Sequence, residues 1–295
     1  MSAARCGQRV PEEERHALNQ VFEIHPFDYR EGKIPVLLEL PHGGHLTPPE
    51  VKPYLYPKFA PGDRREDSDE FSDELFLTLP ANPHVLRFMV WRAHADPHRQ
   101  CDDVDFDGTV KTLTSQGIKI YQSDRGLPAQ VRQQVIERYV MPHRRRLAQQ
   151  VASPAIDRLM FCHTMPGIGT RSSDDKGELR PLFMFGNAGD ENGNPGSDCY
   201  AEKALLLHLA EIVETGMGER DVDFTFCDTI RFNPPYTGIN SLARFDPTEL
   251  RGKHPLTVEI NRYLILHNPD NIKPTRSIVD RMVLALNDWG REQAS

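Results

Sequence analysis

The sequence predicts a layered α/β fold around a mostly parallel sheet. Short aliphatic segments bounded by turn residues alternate along the chain with segments in which apolar residues recur at helical spacing. Chains that alternate in this way pack helices against a sheet whose strands run mainly in one direction. Polar residues follow several of the predicted strands, and open sheets of this kind bind ligands beyond the carboxyl ends of their strands.

Six short apolar segments are predicted to be strands. They occupy residues 34–40, 84–91, 158–162, 182–186, 223–227 and 256–260. The first is closed by the sequence Pro-His-Gly-Gly at 41–44, which is typical of a buried strand that enters a tight loop. The third ends at His163, and the last contains Glu259. Chemically useful side chains are therefore expected at the ends of at least two strands.

Four segments are predicted to be helices. They occupy residues 66–79, 130–151, 202–214 and 275–291. Acidic residues in the opening turn of the first helix favour its start, because they compensate the positive end of the helix dipole. Pro142 is expected to kink or split the second helix, because proline lacks the amide hydrogen that an inner helical turn needs.

The composition excludes several classes of protein. The 295 residues carry 35 basic and 43 acidic side chains, and this formal charge of −8 argues against a general nucleic-acid binder. We find no apolar run long enough to span a membrane and no secretory signal at the N-terminus. Five widely spaced cysteines without a CxxC pair argue against a disulfide framework or a thiolate zinc site, so we expect a cytoplasmic protein. We also expect a polar arm over residues 1–20 and a single domain over 21–295.

The polar residues beyond the predicted strands indicate a divalent-metal site. His42 follows the first strand, His163 ends the third, and acidic residues cluster at 66–73. Two imidazoles and one carboxylate form a common catalytic zinc shell that leaves one position for water. Glu259 can exchange a proton with such a water, and Arg99 can hold a carboxylate or an oxyanion. The two glycines after His42 are expected to admit a ligand to the backbone or simply to form a turn.

In their order along the chain, these segments resemble the motifs of the N-formylglutamate amidohydrolase family, distant relatives of zinc carboxypeptidases and aspartoacylases. The resemblance covers roughly residues 34–266. The matching segments are Pro41–Gly44 for the family's PHSG or PHGG, Asp67–Glu70 for DTDW, Asp96–Arg99 for DLNR, Phe161–Thr164 for DxHS, Asn233–Gly238 for a glycine-rich or PYxG loop, and His254–Glu259 for HxxxxE.

The resemblance implies a three-layer α/β/α hydrolase domain on a mixed, mostly parallel sheet of the phosphorylase/hydrolase type. It further implies that His42 and His163 bind one divalent metal ion. Asp69 is the preferred third ligand over Asp67, and His45 is a further candidate. Zinc is the metal that these ligand types favour, although manganese, iron or cobalt can occupy the same kind of shell.

The resemblance also implies a reaction and the residues that carry it. Metal-activated water would cleave the amide of a small anionic N-acyl amino acid, such as N-formylglutamate. Glu259 would be the general base and acid, and Arg99 would bind the substrate carboxylate or the developing oxyanion. Tyr236 and His254 would contact the substrate.

Two departures from the family pattern leave alternatives open. His98 stands where the family has Asn, and Phe161 stands where it has Asp. Loss of an acid that supports a metal ligand can weaken metal binding. The alternatives are a catalytically inactive homologue that binds a ligand or a protein partner, and a metallo-carboxypeptidase for short peptides.

Overall fold

One mixed sheet of seven strands forms the centre of the protein. The computed structural model describes residues 25–59, 62, 67–101, 108–197, 200–219, 227–234, 236, 247–250 and 252–292. The strands are β1 (Phe27–Arg30), β2 (Ile34–Leu40), β3 (Pro83–Phe88), β4 (Arg158–Met165), β5 (Phe183–Gly186), β6 (Ile230–Phe232) and β7 (Leu256–Asn261). Their order across the sheet is β1-β3-β2-β4-β7-β5-β6. The central strands β3, β2, β4 and β7 are parallel, while β1 pairs antiparallel with β3 and β5 with β7, which confirms the predicted mixed, mostly parallel sheet.

Helices cover both faces of this sheet, as the α/β/α prediction requires. The described α-helices are α1 (Ser72–Phe76), α2 (Ala129–Val135), α3 (Met141–Val151), α4 (Lys203–Gly218), α5 (Pro247–Leu250), α6 (Tyr263–His267) and α7 (Ile272–Glu292). On one face, Leu75 of α1, Leu209 of α4 and Met282 of α7 share a core with the strands. On the other face, Leu147 and Val151 of α3 pack against the sheet.

Side-chain alternation along the strands decides which residues face α3. In β2 the even-numbered residues join the core under α1, α4 and α7, whereas Leu37 joins the core under α3. The residues of β4 alternate in the same way, and the even-numbered residues of β7 also join the first core. Because residues two apart in a strand share a face, Glu39, His163 and Glu259 all point to the α3 side of the sheet.

The predicted helix over residues 66–79 is helical only over Ser72–Phe76 among its described residues. Asp67 Oδ1 accepts a hydrogen bond from the backbone N–H of Ser115 at 2.8 Å, and Phe71 adopts a left-handed φ of 69°. The helix prediction was therefore wrong over residues 67–71, because contacts with distant parts of the chain hold this segment as a loop.

The predicted interruption near Pro142 is confirmed. A π-helical turn, Ile136–Val140, separates α2 from α3. Pro142 closely follows this turn, and because it lacks an amide hydrogen it cannot continue the regular helical hydrogen-bond pattern there. The single helix predicted over 130–151 is thus two helices joined by a wider turn.

Three further predictions concern the ends and edges of the fold. The edge strand β1 was not predicted, because its four residues mix polar and aromatic side chains. Of the strand predicted over 223–227, residues 223–226 lie outside the described residues, as does the arm predicted over 1–20. Among the residues that the structure describes, no helix has the length and apolar character that crossing a membrane demands.

Candidate metal centre

His42, Asp69 and His163 meet at the carboxyl end of the parallel strands. His42 lies two residues after β2, His163 lies near the end of β4, and Asp69 lies on the loop before α1. One potential ligand atom from each residue lies within 4.8 Å of the other two, and all three residues are buried. Three distant segments of the chain thus bring two imidazoles and one carboxylate to a single point.

Close backbone packing positions the loop that carries His42. A Cβ atom added to Gly43 would lie 2.3 Å from Ser72 Oγ, and one added to Gly44 would lie 2.4 Å from the carbonyl carbon of Met89. At Gly44 only glycine fits, because the contact is with the backbone that follows β3, whereas at Gly43 a larger residue would displace the Ser72 side chain of α1. The structure therefore gives the two glycines a packing role, which agrees with the expected turn; ligand access at this loop stays a prediction.

Asp96 sets the orientation and the tautomer of His42. Asp96 Oδ1 lies 2.9 Å from His42 Nε2, and because a carboxylate only accepts, the Nε2–H of His42 donates this hydrogen bond. In a neutral imidazole the lone pair is then on Nδ1. His42 Nδ1 is buried 3.6 Å from an oxygen of Asp69 and has no hydrogen-bond partner within the described part of the chain. A buried lone pair facing a carboxylate, with a second carboxylate behind the ring, fits a divalent cation.

Asp69 connects the two imidazoles. Its Oδ2 atom lies 2.9 Å from His163 Nδ1 and accepts a hydrogen bond from the backbone N–H of Thr164 at 3.3 Å. Burial alone would raise the pKa of Asp69, but His42 and His163 hold that pKa far below its usual value. The carboxylate is therefore charged at neutral pH, as a metal ligand must be.

Glu259 lies beside the cluster on the neighbouring strand. In the pairing of β4 with β7 it is directly opposite His163, and its side chain is buried. Burial raises the pKa of Glu259 to about 7; His163 opposes this rise and Asp69 adds to it. A carboxyl group that titrates near neutral pH can both accept a proton and return it, which general base and acid catalysis requires.

The structure distinguishes Asp69 from the other two candidates for the third ligand. Asp67 holds the backbone of Ser115, and its Oδ2 atom lies 3.6 Å from the buried ammonium group of Lys111. His45 is exposed. Neither residue belongs to the group of potential metal ligands found among the described residues. The geometry thus favours Asp69, and it assigns Asp67 to an ion pair that fixes the same loop.

Two of the predicted substrate-binding residues interact electrostatically with acids of the site. Burial alone would raise the pKa of Asp96, but His42 and Arg92 hold that pKa well below its usual value, and the charge of Arg99 adds a smaller contribution. Burial raises the pKa of Tyr236, and the carboxylate of Glu259 raises it further. Arg99 therefore interacts electrostatically with Asp96, and Tyr236 with Glu259; their contact with substrate stays a prediction.

The structure does not bring His254 to this cluster. His254 precedes β7, so Glu259 lies five residues further along, at the far end of the strand. Its electrostatic neighbours are Arg158 and Glu202, at the amino ends of the parallel strands, and burial lowers its pKa. Contact with substrate at the metal ligands is therefore not supported for this residue.

A buried carboxylate that the sequence analysis did not assign, Glu39, holds two further histidines. The Nε2 atoms of His98 and His143 each lie 2.8 Å from a different oxygen of Glu39. Burial alone would raise the pKa of Glu39, but these imidazoles hold that pKa well below its usual value. The ring centroid of His98 lies 5.1 Å from those of His42 and His163. Glu39 thus fixes a third imidazole against the predicted metal ligands.

The contacts of Glu39 involve His98 and Phe161, the two residues that depart from the family pattern. Phe161 is directly opposite Glu39 in the pairing of β2 with β4, and its ring packs edge-on against His98 at 5.7 Å. The acid that the family has at position 161 is missing, yet a carboxylate is present at the same level on the adjacent strand. The chain therefore retains a negative charge under the cluster.

The sequence contained signals for some of the residues that were missed. Glu39 is a lone acid in an otherwise aliphatic strand, and a charge is rarely buried there unless it has partners. Asp96 begins the segment that resembles DLNR, but no role was predicted for it. Arg92, which pairs with Asp96 at 3.1 Å and lies 3.9 Å from Asp69, had no signal, because nothing in its spacing points to the site.

We expect Asp96→Asn to lower the affinity for zinc by about 10- to 100-fold, because the His42 ring loses the charged partner that orients it and increases its basicity. Competition with a chromophoric chelator measures this affinity. Asp124→Asn is the matched control, because Asp124 is a surface acid whose side chain is 91% exposed. Equal zinc affinity in Asp96→Asn and the wild type would contradict the supporting role.

We expect Glu39→Gln to lower the free energy of unfolding at pH 7 by about 2 kcal/mol, because a buried charge bonded to two imidazoles is replaced by a neutral amide. The pKa of Glu39 is depressed in the folded state, so its contribution is present above the unfolded value of 4.5 and lost as pH falls through the folded pKa. Urea unfolding from pH 7 downward should therefore show the two proteins converging only below about pH 4.5. The exposed acid Glu211 provides a control, Glu211→Gln, that should match the wild type throughout.

A family model identifies the chain as a hydrolase that acts on amides. The chain belongs to the N-formylglutamate amidohydrolase family, whose model matches residues 34–266. It is similar to the crystal structure of N-formylglutamate amidohydrolase from Ralstonia eutropha JMP134, with 20% identity, a TM-score of 0.68, and coverage of 92% of this chain and 100% of that one. It is also similar to the gene product Atu2144 from Agrobacterium tumefaciens, with 12% identity, a TM-score of 0.59, and coverage of 88% and 93%. No curated protein matches the chain.

Proposed function

We propose that the protein is a metal-dependent amidohydrolase that cleaves a small N-acyl amino acid, such as N-formylglutamate. The observation that carries this proposal is the convergence of three potential metal ligands beside Glu259, a buried carboxyl group directly opposite His163 in the pairing of β4 with β7. Two imidazole nitrogens and one carboxylate oxygen are the donors that catalytic zinc commonly uses, and zinc is the metal we propose.

His42, Asp69 and His163 would hold the ion. When bound, a divalent ion supplies Lewis-acid chemistry, which polarises a carbonyl group and makes water more acidic. The chain contributes orientation: Asp96 keeps the Nδ1 lone pair of His42 directed toward the cluster, and Glu39 holds the His98 ring beside it.

Glu259 would move the proton in both halves of the reaction. Its carboxylate takes a proton from water as the water oxygen bonds to the acyl carbon. The carbon–nitrogen bond then breaks, and Glu259 returns the proton to the departing amine. The products are a carboxylic acid, which is formate for an N-formyl substrate, and a free amino acid.

Positive side chains would attract an anionic substrate to this site. The protein carries a formal charge of −8, so an anionic substrate needs a local region of opposite charge. Arg92 and Arg99 provide it: Arg92 pairs with Asp96 at 3.1 Å, and the charge of Arg99 acts on the same carboxylate. We propose Arg99 as the group that binds a substrate carboxylate or the developing oxyanion.

Formate release from N-formyl-L-glutamate tests the proposal. The purified protein is first stripped of metal, then supplied with one equivalent of zinc and assayed with a coupled formate dehydrogenase. We expect turnover that depends on added zinc and is absent in the stripped protein. A protein that binds a full equivalent of zinc but releases no acid from N-formyl or N-acetyl amino acids would contradict the proposed activity and favour a ligand-binding homologue.

A further inference from the structure

Arg180 is a buried arginine with one end of its guanidinium group unpaired. Its side chain has no exposed surface. Nε donates to one oxygen of Asp175 at 2.7 Å, and Nη2 donates to the other at 2.8 Å. Nη2 also donates to Ser173 Oγ at 3.1 Å. Nη1 is buried and has no hydrogen-bond partner among the described residues, which leaves its two N–H donors unused.

The backbone places Arg180 between the two strands that carry the catalytic candidates. Its N–H donates to the carbonyl of Gly167, two residues beyond the end of β4, at 3.0 Å. Its carbonyl accepts from the side-chain amide of Asn261, the last residue of β7, at 3.1 Å. Because β4 carries His163 and β7 carries Glu259, Arg180 is fixed at the same end of the sheet as the proposed metal ligands.

The guanidinium group lies over Tyr236, which connects it to the site. The guanidinium carbon is 4.8 Å from the centroid of the Tyr236 ring. Burial raises the pKa of Tyr236, and the carboxylate of Glu259 raises it further. Burial alone would lower the pKa of Arg180, but the hydrogen-bonded Asp175 raises it, and Glu259 adds a smaller contribution of the same sign. Asp175 and Ser173 pair with Nε and Nη2, and Nη1 is the end of the guanidinium group without a partner among the described residues.

An unpaired buried donor destabilises a folded protein, and such groups are rare in native structures. A carboxylate would accept a charge-assisted hydrogen bond from Nη1. Tyr236, stacked on the same guanidinium, would enclose that carboxylate and exclude water. The cost of the unpaired group is thus offset when an anionic ligand binds.

We propose that Nη1 of Arg180 binds one of the two carboxylates of an N-acylated amino dicarboxylic acid. This inference rests on the proposed function and extends it, because it names the residue that would make the enzyme selective for a dicarboxylate substrate. Arg180 had no assigned role in the sequence analysis, and it lies outside the six segments that resemble the family.

Substrates that each lack one charge test the inference. We would compare kcat/KM for N-formyl-L-glutamate, for N-formyl-L-glutamine without the side-chain charge, and for N-formyl-L-isoglutamine without the α-carboxylate. In Arg180→Gln we expect the preference for the dicarboxylate over one of these amides to fall by about 10- to 100-fold, because a charge-assisted hydrogen bond is lost. The amide for which the preference falls identifies the carboxylate that Arg180 binds. Arg171→Gln, at an exposed arginine of the same loop, should keep both preferences.

A second variant is needed because Arg180→Gln leaves the buried acid Asp175 unpaired and could therefore fail to fold. The double variant Asp175→Asn/Arg180→Gln removes both charges and keeps neutral hydrogen-bonding groups. Thermal unfolding reports whether each variant is folded. Folded variants that retain both substrate preferences within twofold of the wild type would overturn the inference and leave the proposed function intact.

A binding measurement separates this inference from the proposed activity. Calorimetry with glutarate, a dicarboxylate that cannot be hydrolysed, should show binding to the zinc-loaded wild type that weakens by about 10-fold or more in the folded double variant. Butyrate, with one carboxylate, should bind more weakly to the wild type and lose less. If the wild type hydrolyses no N-formyl amino acid, the proposed function fails and this isotherm alone decides the role of Arg180. Equal glutarate affinity in wild type and variant, or no glutarate binding at all, would overturn that role.

Discussion

Replacing Glu259 with glutamine is expected to lower kcat for formate release by about a thousandfold, within the range that general acid–base groups contribute. Glutamine has the size of glutamate but cannot accept a proton from water at neutral pH. The change therefore removes the proton transfer while the surrounding packing remains. The side chain is buried, and a neutral amide is less costly to bury there than a charge, so we expect the variant to fold.

Steady-state kinetics and zinc content together check this expectation. The Glu259→Gln variant should bind zinc with the same stoichiometry as the wild type, since Glu259 is not among the proposed ligands. Glu214→Gln, which alters an exposed glutamate of α4, should leave kcat unchanged. Turnover by Glu259→Gln at the wild-type rate would exclude this carboxylate as the proton carrier.

Replacing His163 with alanine is expected to lower metal affinity more than replacing the supporting residue Asp96. Removal of a group that only supports a ligand lowers metal affinity by about 10- to 100-fold, and removal of a ligand should cost more. We therefore expect the zinc affinity of His163→Ala to fall more than about 100-fold and formate release to drop to background. The change also removes the hydrogen bond between Asp69 Oδ2 and His163 Nδ1, which are 2.9 Å apart.

His45→Ala is the matched control for this experiment. His45 lies in the loop beyond β2, as His42 does, but it is exposed and outside the group of potential ligands. Its loss should change neither zinc affinity nor turnover. A fall in affinity with His45→Ala as large as that with His163→Ala would restore His45 to the metal shell and contradict the assignment of Asp69.

The fold was largely predictable because its signals are local. The aliphatic run before His42 and the alternating strand around Glu259 are recognisable from hydrophobic periodicity alone. The loop at 67–71 was predicted as helix because its acids resemble a helix start. Their hydrogen bonds with Ser115 and Thr164, distant in sequence, override that preference. Local propensity cannot register such contacts.

Residues of the candidate site could be predicted where they belong to a recognisable sequence motif. They could not be predicted where their contacts arise only from the folding of distant segments. His42 and His163 follow strands within motif-like segments, so the sequence singles them out. Glu39 and His143 are 104 residues apart, and only the packing of α3 on β2 makes them hydrogen-bond. The unpaired nitrogen of Arg180 likewise could not be predicted from the sequence. It depends on which guanidinium nitrogens donate to Asp175, and only the folded structure shows that these are Nε and Nη2.

A crystal of the zinc-loaded protein, with anomalous diffraction recorded at the zinc edge, tests the central claim most directly. We expect one anomalous peak about 2 Å from His42 Nδ1, His163 Nδ1 and an oxygen of Asp69, since these are the usual zinc–ligand distances. A crystal with no peak between these three residues, or with its zinc bound elsewhere on the chain, would contradict the metal-dependent mechanism.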